Sequence, residues 1–150
     1  MASALTGPVV FAYDGSDLAK DAIAEAGRQL SAPRPALVLT VWQPYSVGFV
    51  TPRQLKVDAA AADEVRDAAE QTAAQGAELA GEAGFEARSM AIELAPTWKG
   101  IVTTADEQDA SLIVLGSHGR SGLADVLIGS VAEAVVAHSR RAVLIVHRRG

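Results

Sequence analysis

Short apolar runs alternate with amphipathic stretches along the 150-residue chain. The runs are rich in Val, Ile and Leu and end at glycine or polar turn residues, which is typical of buried strands. The predicted strands are Val9–Ala12 and residues 36–42, 86–94, 112–115 and 142–146. Because helices separate these strands and the runs are apolar throughout, both sheet faces should be covered. The pattern predicts an α/β fold, a three-layer α/β/α sandwich, as one domain over residues 1–150.

The amphipathic stretches predict four helices. A side-chain oxygen of Ser16 or Asp17 should cap the first helix by accepting a backbone N–H. Apolar residues at helical spacing follow on one face: Ala19, Ala22, Ile23, Ala26 and Leu30. Residues 31–35 should break the chain, and residues 43–56 should form a loop because their periodicity is lost.

The longest predicted helix covers residues 57–82 and is rich in alanine and acidic residues. We expect Gly81 and Gly84 to end it. Its predicted core stripe is Val65, Ala68, Ala69, Thr72 and Leu79. The remaining two helices should cover residues 97–107, with Ile101, Val102 and Ala105 inward, and residues 130–138.

Composition narrows the function classes. Hydrophobic residues make up 49% of the chain and aromatic residues only 5%, so the core must be largely aliphatic. A net charge of −5 argues against a protein dedicated to nucleic acid or anionic membranes. The absence of cysteine excludes disulfide scaffolds, thiolate zinc sites and iron–sulfur clusters. With no apolar leader and no apolar run long enough to span a bilayer, we expect a cytoplasmic protein with no membrane partner.

The most informative segment, residues 116–130, reads G-S-H-G-R-S-G-L-A-D-V-L-I-G-S and follows the fourth predicted strand. Its glycines permit close backbone approach to a ligand, and its N–H groups can turn inward around an anion. The N-terminus of the helix that opens at Ser130 favours an anion too, and Arg120 adds positive charge. Ser130 and Glu133 also match a capping box, which needs no ligand. The residues alone therefore leave a polyphosphate site and a structural loop both open.

The spacing Gly116-x2-Gly119-x9-Gly129-Ser130 resembles the G-x2-G-x9-G-[S/T] signature of the universal stress protein family. The first strand with its Asp14-Gly15-Ser16 turn and the last strand are similar to the family's as well. The resemblance covers the whole chain and is weak between residues 43 and 95. It implies a five-stranded parallel sheet of order 3-2-1-4-5, the adenine nucleotide alpha hydrolase-like fold.

Family members with this signature bind ATP, so the resemblance implies an ATP site in which AMP or ADP can also bind, with Mg²⁺. It places the phosphates on the glycines and Ser130, the ribose at Asp14 and the adenine on the Val41 backbone. The nucleotide-binding residues it implies are Asp14, Val41, Gly116, Ser117, His118, Gly119, Arg120, Gly129, Ser130 and Val131. It also implies a homodimer through the last strand, which begins at Ala142 and ends at Val146. The chain departs from the family at Ala142, commonly proline, and at Trp42, where a smaller or polar residue is usual.

Other sites are less consistent with the sequence. A receiver domain needs an acceptor Asp after its third strand and a Lys after its fifth, and the chain has neither at these places. Neither a P-loop nor a dinucleotide fingerprint occurs. No nucleophile elbow accompanies Ser117, His118 and Asp125, and His118, His138 and His147 lack metal-ligand spacing. We assign no catalytic residue and no metal ligand.

Three functions remain. The favoured one is an ATP-binding, nucleotide-dependent regulator of a stress response. The second is a slow ATPase or phosphotransferase that uses Asp14 and His118 in the same site. The third, a ligand-free interaction protein, is disfavoured because the glycine signature is complete.

Overall fold

The computed structural model describes residues 7–31, 33–44, 59–119 and 128–148. Within these ranges strands and helices alternate from the first element to the last. In chain order they are β1 (Val9–Ala12), α1 (Asp17–Gln29), β2 (Arg34–Trp42), α2 (Ala59–Glu82), β3 (Phe85–Glu93), α3 (Thr97–Glu107), β4 (Leu112–Gly116), α4 (Ser130–His138) and β5 (Val143–Val146).

The strands form one parallel sheet of order β3-β2-β1-β4-β5. In the centre, Val10 of β1 lies beside Leu37 of β2 and Ile113 of β4. The predicted sheet order is therefore confirmed. Because the order reverses between β1 and β4, the carboxyl ends of these two neighbours open a crevice, the usual ligand position in such sheets.

Alternate residues of the strands fill two cores, one on each face of the sheet. On one face Phe11 and Val38 pack with Ile23 of α1 and Ala80 of α2. On the other face Val10, Leu37 and Ile113 pack with Ile101 of α3 and Val135 of α4. These residues are at most 2% exposed. Helices thus cover both faces, which confirms the predicted sandwich.

The predicted cap of α1 is confirmed at Ser16. Its Oγ accepts a hydrogen bond from the Ala19 backbone N–H at 3.2 Å, which satisfies one of the free donors of the first turn. In the described part of the chain, none of the helices is long and apolar enough to cross a membrane.

Several predicted boundaries shift by one or two residues. β2 begins at Arg34, although we predicted a break over residues 31–35. Pairing with β1 starts only at Ala36, so Arg34 and Pro35 lie beside β3 alone. Proline is tolerated there because that stretch has a neighbour on one side only. Of the predicted 43–56 loop and the helix start at residue 57, residues 45–58 lie outside the described ranges.

The core stripe of α2 differs from the predicted one. Its buried residues are Val65, Ala69, Ala73, Gly76 and Ala80, whereas the predicted Ala68 is exposed and Thr72 and Leu79 are half-buried. Gly81 lies inside the helix rather than at its end. The chain leaves the helix at Gly84, whose φ of 103° favours glycine.

Candidate functional site

The predicted site residues come together in one cleft at the carboxyl end of the sheet. The cleft has a volume of about 740 Å³ and lies where β1 and β4 end. Nine of the ten predicted residues line it: Asp14, Val41, Gly116, Ser117, His118, Gly119, Gly129, Ser130 and Val131. The tenth, Arg120, lies outside the described residues. The structure thus shows that these residues share a cleft.

The turn after β1 fixes the Asp14 carboxylate at one wall of the cleft. Asp14 Oδ1 accepts a hydrogen bond from the Ser16 backbone N–H at 2.9 Å. Gly15 makes this turn possible with a φ of 81°. The second oxygen, Oδ2, is met by the glycine loop, because a Cβ on Gly119 would lie only 2.8 Å from it. The carboxylate and the loop backbone therefore approach as closely as a residue without a side chain allows.

The Ser117 backbone makes hydrogen bonds to Gly129, near the far end of the glycine segment, and to β5. Its carbonyl accepts from the Gly129 N–H at 2.6 Å, and its own N–H donates to the Val146 carbonyl of β5 at 2.8 Å. Its hydroxyl, 1% exposed with the rest of the residue, lies 3.0 Å from His118 Nδ1. The Ser117 backbone thereby connects Gly129 to the end of β4, and its hydroxyl orients the imidazole ring of His118.

In the part of the chain that the structure describes, the start of α4 faces the cleft without a side-chain cap. Gly129 is the N-cap residue, and no side chain there accepts a first-turn N–H. Ser130 is the first helical residue and is exposed. A capping box would need Ser130 one position earlier, so the structural interpretation of Ser130 and Glu133 is wrong. The first-turn N–H groups, which have no partner within the helix, remain at a wall of the cleft.

The signature glycines serve different packing needs. A Cβ on Gly116 would lie 2.9 Å from Leu18 Cγ, so this glycine lets β4 pack against α1. A Cβ on Gly129 would lie 3.1 Å from the Ser117 carbonyl oxygen, so Gly129 permits the loop to close. Gly119 is exposed, and among the described residues its Cβ would meet only the Asp14 carboxylate within 4 Å. Of the three, Gly119 is the one whose missing side chain leaves space in the cleft itself.

The described lining carries little positive charge on side chains. Its ionisable groups are Tyr13, Asp14, His118 and Glu133. Burial, and then the nearby Asp14 carboxylate, raise the pKa of the Tyr13 phenol, which therefore stays neutral at pH 7. An anion bound here would accept from backbone N–H groups at the positive end of α4. Among the described residues, no three His, Asp or Glu side chains are grouped to hold a metal ion.

The predicted site lacks several polar residues of the cleft, among them a pair that bond to each other, Gln43 and Thr97. Gln43 directly follows β2, and Thr97 begins α3 shortly after β3. Gln43 Nε2 donates to the Leu94 carbonyl at 2.8 Å and to Thr97 Oγ1 at 3.1 Å. The same rule that pointed to the ends of β1 and β4 applies to the ends of β2 and β3, and it would have found both residues.

Comparisons with known proteins agree with this architecture. The universal stress protein MJ0577 of Methanocaldococcus jannaschii is 35% identical over 66 residues, which are 44% of this chain and 40% of that protein. The solved structure of the hypothetical protein MJ0577 has a TM-score of 0.75 at 22% identity and is matched over 97% of this chain and 98% of that one. A universal stress protein solved in complex with cAMP has a TM-score of 0.68 at 27% identity, with 95% and 97% of the two chains covered.

The family model described as the universal stress protein family matches residues 6–147. This match takes in every strand and helix of the described structure. The chain therefore belongs to the universal stress protein family.

Proposed function

We propose that this protein binds ATP in the cleft and acts as a nucleotide-dependent regulator of a stress response, as a homodimer. The observation that carries the proposal is the uncapped N-terminus of α4, which faces the cleft beside the Asp14 carboxylate. A triphosphate needs N–H donors and a ribose needs an acceptor for its hydroxyls. The cleft offers both within one space.

Each part of the nucleotide lies against a different wall of the cleft. The phosphates accept from backbone N–H groups of Gly119, Ser130 and Val131, with Arg120 as a further donor and with Gly129, whose own N–H donates to Ser117, lining the same wall. The Asp14 carboxylate accepts from the ribose. The adenine lies against Val41 at the end of β2. The cleft volume of about 740 Å³ is in the range that small-molecule sites occupy.

A solved relative supports an adenine nucleotide as the ligand. The universal stress protein in complex with cAMP shares 27% of its aligned residues with this chain and nearly its whole length. AMP and ADP fit the same assignment because they share the base and ribose. Mg²⁺ would be held chiefly by phosphate oxygens and water, as is usual for this ion, with the Asp14 carboxylate close to Gly119 on the same side of the cleft.

The homodimer is proposed from the edge of the sheet. Among the described strands β5 has only β4 beside it, yet its four residues are half-buried and aliphatic. An apolar edge strand needs cover, and a second copy supplies it by pairing β5 with β5. A cytoplasmic location, expected from the sequence, is part of the same proposal.

Calorimetric titration of the nucleotide-stripped protein with Mg-ATP tests the proposal, followed by an assay of the same sample for ADP. Sedimentation of the sample with and without ATP tests the homodimer. We expect binding near one ATP per chain with no ADP formed. Absence of heat with ATP, ADP and AMP alike would overturn the proposal and favour an interaction protein without a ligand.

A slow ATPase is the second candidate, and one contact favours it. The Ser117 hydroxyl lies 3.0 Å from His118 Nδ1, so the imidazole is oriented beside the phosphate loop, as a group that positions water should be. Steady ADP production in the same assay, lost in His118→Ala, would place this function first.

A further inference from the structure

Thr40 is a polar residue near the carboxyl end of β2 and is only 8% exposed. Its hydroxyl Oγ1 donates a hydrogen bond to the carbonyl of Tyr13, which directly follows β1, at 2.9 Å. The neighbours Leu39 and Val41 line the cleft, whereas Thr40 is not among the described lining residues. Any effect of Thr40 on a ligand therefore passes through the backbone that its hydroxyl holds.

The Thr40 hydroxyl takes the place of a backbone hydrogen bond of the sheet. The Leu39 carbonyl accepts from the Tyr13 N–H at 2.9 Å, and the next bond of a parallel ladder would run from the Val41 N–H to the Tyr13 carbonyl. Pairing of β1 with β2 ends at Ala12 beside Leu39, and in the part of the chain that the structure describes that next bond is not made. The Tyr13 carbonyl accepts from the Thr40 side chain instead. A side chain that bonds the backbone in this way competes with the ladder.

The early end of the ladder determines what the Val41 backbone faces. Alternate residues of a strand in a parallel sheet direct their N–H and carbonyl groups to the same neighbouring strand. Since the Leu39 carbonyl is directed at the β1 side, the Val41 N–H is directed there too, just beyond the last paired residue of β1. Val41 lines the cleft at this place. Its N–H is therefore a donor at the wall against which the proposed adenine lies.

Tight packing on both faces of the sheet keeps these backbone groups in place. The Tyr13 side chain is 3% exposed, and a Cβ on Gly76 of α2 would lie 2.8 Å from its ring. On the other face a Cβ on Gly100 of α3 would lie 2.9 Å from Val41 Cγ1, so α3 packs directly on Val41. A buried carbonyl needs a donor. Without the Thr40 hydroxyl, the donor that a regular ladder supplies to the Tyr13 carbonyl is the Val41 N–H.

We propose that Thr40 is a positioning residue of the nucleotide site, which keeps the Val41 N–H available to the adenine base. Adenine carries ring nitrogens that accept hydrogen bonds, and a backbone N–H is the matching donor. When the hydroxyl is removed, the ladder extends by one step, the Val41 N–H pairs with the Tyr13 carbonyl, and the base loses its donor. The phosphates, which the proposed site holds at the start of α4, keep theirs. This inference rests on the proposed ATP site and adds the residue that prepares its base-binding wall.

Titrations with ATP and with inorganic tripolyphosphate, both with Mg²⁺, test the inference. Thr40→Val keeps the shape of the side chain and removes its hydroxyl. We expect this variant to bind ATP about three- to tenfold more weakly, the range of one hydrogen bond, and tripolyphosphate with unchanged affinity. Thr40→Ser keeps the hydroxyl and should retain the wild-type ATP affinity. Thr104→Val, at a buried threonine of α3 that is not among the described lining residues, is the matched control and should change neither affinity.

Amide hydrogen exchange of the protein without nucleotide tests the ladder directly. We expect the Val41 amide to exchange faster than the Leu39 amide in the wild-type protein and to become protected in Thr40→Val. A merely structural role of Thr40 would weaken the binding of both ligands by the same factor and would leave the Val41 amide unprotected. A Val41 amide that is already protected in the wild-type protein overturns the inference, and this measurement is decisive even if Thr40→Val does not fold.

The titrations separate the two proposals. Equal ATP affinities of the wild-type protein and of Thr40→Val would overturn the role of Thr40 and leave the nucleotide site standing. Absence of ATP binding to the wild-type protein would overturn the nucleotide site and the role of Thr40 with it.

Discussion

Tyr13 and Asp14 are consecutive residues, and each is approached by a glycine from a different part of the chain. Gly76 of α2 lies over the Tyr13 ring, and a Cβ there would be 2.8 Å from Cδ2 of the ring and 2.6 Å from Val38 Cγ1. Gly119 lies over Asp14, and a Cβ there would be 2.8 Å from Oδ2. The two approaches are equally close, but one is in the core and the other in the cleft.

The difference lies in what can move. The atoms that a Cβ on Gly76 would meet belong to buried side chains, since Tyr13 is 3% exposed and Val38 is fully buried. An added methyl group there would displace the helix or the sheet. At the Gly119 contact the atom is the tip of a carboxylate beside an exposed glycine, which can shift. Glycine at position 76 therefore serves folding stability, whereas glycine at position 119 leaves space in the cleft.

Gly76→Ala should disrupt the packing of α2 on Tyr13 and Val38, and we expect it to change stability more than the other substitutions. We expect a loss of about 2 kcal/mol in the free energy of unfolding, because overpacking of a buried contact exceeds the helix propensity that alanine adds. Denaturant unfolding measures it. Gly81→Ala is the matched control in the same helix, since a Cβ there would meet none of the described residues within 4 Å, and it should stabilise by about 1 kcal/mol. Equal effects of the two substitutions would contradict the packing argument.

Gly119→Ala should separate binding from stability. We expect about tenfold weaker ATP binding, or about 1.4 kcal/mol, because the methyl fills the space between the loop and Asp14. The unfolding free energy should change by less than about 0.5 kcal/mol, as at other exposed positions. Gly129→Ala should weaken ATP binding as well, because its Cβ would press on the Ser117 carbonyl. Calorimetry gives the affinities, and unchanged affinity in both variants would remove the assigned site.

Ser16→Ala separates stability from ligand affinity within the turn that follows Asp14. Loss of the side-chain cap should cost about 1 kcal/mol of stability. The backbone N–H of residue 16 still donates to Asp14 Oδ1, so the carboxylate keeps its place and ATP affinity should hold. Unfolding and titration of this one variant measure both quantities, and a parallel loss of affinity would mean that the cap itself shapes the cleft.

Tyr13→Phe gives the smallest expected effect at neutral pH. Among the described residues the buried Tyr13 hydroxyl has no hydrogen-bond partner, so its removal should stabilise by about 0.5 kcal/mol. Since the pKa of Tyr13 is raised above its ordinary value of 10.0 in the folded state, the neutral phenol's share of stability is present below pH 10 and is lost above it. Unfolding at pH 7 and pH 11 should show a smaller alkaline loss in the phenylalanine variant. An identical alkaline loss in both proteins would contradict this assignment.

The sequence predicted the elements best where polar turn residues bound apolar runs. The bounds of β1, α3 and α4 agree with the predicted ones, and Ser16 caps as expected. The sheet order came from the family resemblance, because periodicity does not state which strands are neighbours. The stripe of α2 was misplaced because alanine is common on every face of that helix and gives little contrast.

The part of the site that consists of spaced glycines could be predicted from the sequence. The part that depends on how distant elements pack together could not. The loop glycines and Asp14 lie on one cleft as expected. Gln43 and Thr97 were missed because their bond joins residues 54 positions apart, across elements whose adjacency only the sheet order reveals. Conversely, Ser130 and Glu133 match a capping box in spacing alone, because the helix begins at Ser130, one residue too early for Ser130 to be its N-cap.

The hydrogen bond from the Ser117 N–H to the Val146 carbonyl connects the outermost strand directly to the start of the glycine segment. Any event that shifts β5 also shifts the residue that closes the loop on Gly129. If a bound partner on β5 changes ligand affinity by some factor, the ligand must change affinity for that partner by the same factor, because binding free energies form a closed cycle. The outermost strand and the residue that contacts Gly129 are thereby joined through a single peptide group.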